Sequence, residues 1–142
     1  MFLVFCIDKQ FGLSFDGKRQ SRDIEVTRRI KTLFEGKKIS ALPYSKTVLD
    51  NVLEHVNYIQ DIDNVSTDVL FIENIHLKNL DNFDYVYMFV WDKVYPQDNV
   101  FNESLLKNYE LIEIQTFTGH SHEEITLKIY KKGEKVLWKR KL

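Results

Sequence analysis

Cysteine, proline and glycine are scarce: one, two and five residues in a chain of 142. A lone Cys6 excludes an internal disulfide framework and a cysteine-built zinc site, and it suits a reducing, cytoplasmic setting. So few prolines and glycines exclude collagenous and low-complexity architectures. Long apolar runs are missing too. Met1 to Ile7 is apolar but meets Asp8 too soon to span a bilayer, and it lacks the basic start and small-residue cleavage site of a secretory signal. Those residues are expected as a buried first strand, and no membrane is expected as a partner. What is present, 44% apolar and 13% aromatic residues with 20 basic against 21 acidic side chains, is the composition of one folded domain over residues 1–142.

Charge is uneven along the chain. Residues 1–46 carry a net +5, residues 47–130 a net −11 and residues 131–142 a net +5. Basic ends around an acidic middle read as solvated faces and mutual partners, because no stripe of alternating aromatic and basic residues accompanies them. Nucleic acid is therefore not expected as a partner. Hydrophobic periodicity supplies the elements: a strand at 2–7, a loop punctuated by Gly12 and Gly17, and a helix from Arg22 to Phe34 capped by Ser21 and closed by Gly36. A short strand at 38–42 and a helix from Ser45 carrying Val48, Leu49, Val52, Leu53 and Val56 follow. Val69 to Ile72 reads as a buried strand, and 74–82 as a turn or a single helical turn. Tyr85 to Trp91 is apolar on both faces, so it belongs inside a sheet covered on both sides. Two further strands, at 109–118 and 124–131, form a hairpin, and Gly133 allows a turn before a last segment at 136–141.

That chain order resembles dihydrofolate reductase, and short motifs support the resemblance. Cys6-Ile7-Asp8, Gly12-Leu13 and Asp16-Gly17-Lys18 are similar to the family's first strand end and glycine loop. Glu25 falls where the family has its pterin-binding acid. Lys46-Thr47 matches a Gly-Arg-Lys-Thr segment, Asp84 to Tyr87 the entry to the central strand, and Tyr95-Pro96 a Phe-Pro region. The resemblance implies an α/β fold: a mixed, mostly parallel central sheet with flanking helices and a C-terminal antiparallel hairpin. Departures argue against the reductase. Tyr44-Ser45 replaces a Gly-Arg and Glu73-Asn74 a Gly-Gly, so side chains, one of them anionic, stand where main chain would approach a cofactor phosphate. Arg19-Gln20-Ser21 replaces the Leu-Pro-Trp of the pterin wall, and Phe89 a bridging Thr. Gly17 to Asp23, Trp91 to Asp98 and Phe117 to Thr126 also look like a small uncharacterised bacterial family sometimes labelled ribonuclease Z. This chain lacks that enzyme's His-x-His-x-Asp-His motif and is too short for its fold.

Several constellations bear on chemistry. His120 and His122, with Glu124 on the same strand parity, could hold an ion, but a hairpin loop beside Gly119 favours solvated histidines, so no metal is expected. Arg19, Gln20, Ser21, Arg22 and Asp23 gather where a loop enters a helix; the cluster suits either an anion or a cap. Glu25 is the candidate catalytic acid if it lines an apolar cleft, and otherwise a first-turn Glu favoured by the helix dipole. Trp91, Asp92, Tyr95, Pro96 and Asp98 end the central strand, the usual mouth of such a sheet. Cys6 is expected to be inert core. The leading expectation is a domain without a cofactor that binds a small anionic or nucleotide-like molecule through Asp8, Arg19, Arg22, Trp91 and Tyr95, with a homodimer left open. The alternatives are an NAD(P)H- or flavin-dependent reductase with an altered cofactor site and Glu25 as proton donor, and a metal-dependent hydrolase or nuclease.

Overall fold

The computed structural model describes residues 1–133, so the expected segment at 136–141 lies outside the described residues. Strand β1 (Phe2–Ile7) runs parallel to β6 (Val69–Phe71) on one side and to β7 (Tyr85–Val90) on the other. Beyond β6 lie β4 (Ile39–Ala41) and then β5 (Asn57–Tyr58), both parallel to their neighbours. Beyond β7 the direction reverses: β10 (Ile125–Lys132) is antiparallel to β7, and β9 (Tyr109–Phe117) is antiparallel to β10. The order is β5-β4-β6-β1-β7-β10-β9. A small second sheet, β3-β2-β8, is built from β2 (Gly12–Phe15), β3 (Lys18–Arg19) and β8 (Asn99–Val100). It carries the loop between Asp8 and the first helix.

A strand apolar on both faces must be covered on both, and β1 and β7 are. On one face Val4, Phe71, Phe89 and Leu127 pack with Val26 and Ile30 of helix α1 (Ile24–Leu33), with Phe34 just after it, and with Leu49 of the short helix α2 (Lys46–Leu49). On the other, Leu3, Phe5, Leu70, Val86 and Met88 meet Leu80, Phe83 and Phe101, which come from loops instead of helices. The expected flanking helices thus lie against one face. The segment at 74–82 forms turns, because Asn79 and its neighbours satisfy the main chain through their side chains, as Asn79 Oδ1 does for the Asp81 N–H at 3.1 Å. The aromatic row of β7 is core, as its strand spacing predicts: Phe89 and the adjoining Trp91 are buried, and Tyr85 and Tyr87 pack against the same core through Phe2 and Phe34.

Two local expectations need correction. The second helix was expected to run on through Val56, yet α2 ends at Leu49. Asn51 returns its side-chain amide to the Thr47 carbonyl at 3.0 Å, and the Leu53 N–H bonds Leu49 O at 2.8 Å, so the chain closes into a turn that still buries Leu53. The helix α1 cap is Asp23, not Ser21. Asp23 has extended φ and ψ of −152° and 128°, and its carboxylate accepts the Glu25 N–H at 2.9 Å. At the other end Gly36 takes a φ of +80°, the left-handed turn that glycine permits, as its position after the helix predicts.

Candidate functional site

Asp23 does more than cap. Its side chain is fully buried and accepts the N–H of His120 at 2.8 Å, the N–H of Ser121 at 2.9 Å and the ring Nδ1 of His122 at 2.8 Å. One carboxylate therefore ties the start of α1 to the loop between β9 and β10. Burial alone would raise its pKa, but the bonds from the His120 N–H, the His122 ring, and the Ser121 and Glu25 N–H groups outweigh it and hold the carboxyl well below the usual range. An ionised carboxylate only accepts, so His122 presents Nδ1–H to it and turns Nε2 to the other side. There Nε2 meets Ser21 Oγ at 2.9 Å and Tyr95 Oη at 3.2 Å. The imidazole lies flat on Trp91, with ring centroids 4.5 Å apart and planes at 22°. The result is a continuous chain Asp23–His122–Ser21 packed on an indole at the end of the central strand.

The loop can approach this closely because residue 119 has no side chain. A Cβ on Gly119 would stand 2.5 Å from Asp23 Oδ2 and 2.8 Å from Ile125 Cδ1. Asp23 is fixed by its bonds and Ile125 is buried, so neither can yield cheaply. Gly119→Ala is expected to destabilise the protein by roughly 1–3 kcal/mol through overpacking; thermal unfolding measures it, and an unchanged midpoint would show that the loop is free to shift.

Asp8 organises the neighbouring loops. It is fully buried; Oδ1 accepts the N–H groups of Gln10 at 2.8 Å and Gly12 at 2.9 Å, and Oδ2 accepts Gln20 Nε2 at 2.9 Å and the Tyr95 N–H at 3.0 Å. Through that last bond Asp8 sets the main chain from which the Tyr95 hydroxyl reaches His122. Arg19 faces another way. Its Nε donates to Glu73 Oε2 at 2.7 Å, and its Nη2 to Glu73 Oε1 at 3.1 Å and to the Tyr44 carbonyl at 3.1 Å, while the guanidinium lies 4.4 Å from the centre of the Tyr44 ring. Ser45 Oγ donates to Glu73 Oε1 at 2.8 Å. This knot joins β3, the turn after β4 and the end of β6.

Of the residues singled out in the sequence, the structure brings Trp91 and Tyr95 to His122, with Asp8 one step behind them, holding the Tyr95 N–H. Arg19 belongs to the Glu73 knot. Arg22 is exposed on the rim of a hollow of about 210 Å³ that it shares with Asp23, Ile24, Thr27, Val48, Asn51, His120 and Ser121. Glu25 pairs with Arg28 on the outer side of α1. His120 is exposed and His122 buried, so the pair does not share a face as strand parity suggested; among the described residues no cluster of three or more metal-ligating side chains occurs. The residues missed as a unit are Ser21, Asp23 and His122. Their one signal was the occurrence of all three inside two of the three polar motifs, those at 17–23 and 117–126. Cys6 lies in β1, with its thiol pushed well above the usual value by burial and then by the charges of Glu73 and Asp23, in keeping with the inert core expected of it.

No family model matches the chain, and no curated protein matches it significantly. Among solved structures it is similar to the dihydrofolate reductase of Enterococcus faecalis complexed with NADP(H) and RAB-propyl, with a TM-score of 0.66 and 10% identity, covering 94% of this chain and 96% of that one. The chain has a dihydrofolate-reductase-like fold. That agrees with the mixed, mostly parallel sheet and the closing hairpin expected from the sequence, and at 10% identity the likeness concerns the fold alone. On this dihydrofolate-reductase-like sheet, the Asp23–His122 pair and the Arg19–Glu73 knot sit at the ends of β7 and β6, where the parallel strands of the sheet finish.

Proposed function

We propose that this dihydrofolate-reductase-like domain binds a small anionic or nucleotide-like molecule and does not reduce dihydrofolate. The observation that carries the negative half is the Arg19–Glu73 knot. A dinucleotide phosphate needs open main chain and unspent cationic donors. Here the space after β6 holds a carboxylate, and the nearby guanidinium already donates to both oxygens of that acid. Expelling Glu73 would strand Arg19, and leaving it in place repels phosphate. The positive half rests on Arg22, an exposed guanidinium on the rim of a hollow beside the start of α1.

Thermal-shift screening against nucleotides, folates and inorganic phosphate tests the reading. A ligand present at 100 times its Kd stabilises by about 2.7 kcal/mol, a readily measured rise in midpoint. The expected result is stabilisation by an anionic compound that weakens in Arg22→Glu; no stabilisation by any of them would overturn the binding reading. The setting in this reading is a reducing cytoplasm, and among the described residues no helix is long and apolar enough to cross a membrane. A homodimer is part of the same reading. Ile112 and Ile114 stand 49% and 56% exposed on β9, the outer strand of the sheet among the described residues. Sedimentation at the mass of one 17.0 kDa chain would remove it.

A further inference from the structure

From the chain Asp23–His122–Ser21 we infer a second capability, independent of anion binding: Ser21 is an activated nucleophile for acyl transfer, and the domain hydrolyses small carboxylic esters. A serine hydroxyl is a weak nucleophile unless a base takes its proton and a third group orients the base. All three parts are present, with Ser21 Oγ 2.9 Å from His122 Nε2 and His122 Nδ1 2.8 Å from Asp23 Oδ2. Such a relay is recognised by geometry and roles and not by order along the chain.

The surroundings fit the roles. His122 is buried, stacked on Trp91 and held at Nδ1, so its Nε2 cannot swing away from Ser21. Asp23 keeps its charge because its hydrogen bonds favour the ionised form, which is what a proton-bearing imidazole needs beside it. Ser21 itself is only half-buried. It lies in the chain between Gln20, which lines a hollow of about 380 Å³ with Phe15, Lys18, Tyr95 and Pro96, and Arg22, which lines the hollow beside α1. The first hollow, lined by Tyr95 but not by Ser21 itself, offers the Phe15 and Tyr95 rings as surface for an acyl or aryl group. The Tyr95 hydroxyl lies 3.2 Å from the same Nε2. That nitrogen has one lone pair and takes the Ser21 proton, so the phenol is left to donate to the oxygen that becomes negative during attack.

The reaction balances with water as the only co-reactant. Ser21 Oγ bonds to the carbonyl carbon as its proton passes to His122 Nε2. The carbon–oxygen bond to the alcohol then breaks, and Nε2 returns the proton to the leaving oxygen. Water attacks the acyl-serine, gives a proton to Nε2, and the acid departs as Oγ recovers its hydrogen.

A structural latch tying residue 21 to the β9–β10 loop would show the same distances without the reactivity. A fluorophosphonate probe and p-nitrophenyl acetate separate the two. The expected result is a covalent adduct mapped to Ser21 by mass spectrometry, absent in Ser21→Ala, with ester turnover lowered by about 100-fold in that variant. Because Ser21→Ala removes a bond to a buried ring, its fold is checked by circular dichroism. Ser21→Cys serves as the second variant: the thiol so introduced should be alkylated by iodoacetamide faster than a free cysteine at the same pH. An unlabelled Ser21 in folded wild-type protein, or turnover that is the same in Ser21→Ala, would overturn the inference whatever the nucleotide screen returns.

Discussion

Replacing Asp23 by alanine is expected to lower the unfolding free energy by roughly 3–5 kcal/mol, the combined cost of leaving several buried donors without their acceptor. The side chain is fully buried, and its removal leaves the Glu25, His120 and Ser121 N–H groups and His122 Nδ1 without their acceptor. Each such orphan carries a desolvation cost. The loss also unties α1 from the loop before β10, so the Trp91 environment should change with it. Tryptophan fluorescence and chemical denaturation measure both effects, and a loss below about 1 kcal/mol would mean that the loop is not held by this carboxylate. Acid gives the same test without mutation. A carboxyl with a depressed folded pKa contributes stability that is complete above its unfolded value of about 3.9 and is lost as pH falls from there towards the folded value. Stability should therefore fall below about pH 4, and Asp23→Asn should flatten that part of the curve.

Replacing Glu73 by alanine is expected to cost about 2–4 kcal/mol, somewhat less than the Asp23 change because the Arg19 side chain is 20% exposed and can recruit water. Glu73 receives both arms of Arg19 and the Ser45 hydroxyl, and its own side chain is only 8% exposed. Without it a guanidinium stays half-buried over Tyr44 with one carbonyl for a partner. Removing both ends in Arg19→Met with Glu73→Leu should recover much of the loss, since an uncharged pair of similar volume leaves no stranded charge. A double-mutant cycle in urea measures the coupling; additive losses would mean the two side chains do not act as a pair.

Much of the sheet was legible because its strands obey simple patterns. Tyr85 to Trp91 is apolar on both faces and lies in the interior of the sheet, and the alternation of Ile125, Leu127 and Ile129 marks the buried face of β10. Non-local competition was not legible. Ser21 and Asp23 are both cap-forming residues by type, and what separates them is a hairpin about a hundred positions later, whose N–H groups favour a carboxylate over a hydroxyl. The second helix fails for a related reason. Val52, Leu53 and Val56 keep helical spacing, but Asn51 competes for the main chain and α2 stops before them. His120 and His122 were expected to be solvated in a hairpin loop; the loop is there, but it turns only His120 outward and carries His122 into the core, where Asp23 and Trp91 hold it.

Most of the account depends on Glu73, Arg19, Tyr44 and Ser45 occupying the ground that a dinucleotide would need on this fold. Titration of the purified chain with NADPH, followed by nucleotide fluorescence and by transfer from Trp91, measures that directly. The expected result is no saturable change up to millimolar NADPH in Arg22→Glu, so that any signal in the unmodified chain arises at the hollow beside α1. A saturable signal with a micromolar constant, surviving in Arg22→Glu and therefore not arising at the hollow beside α1, would contradict it.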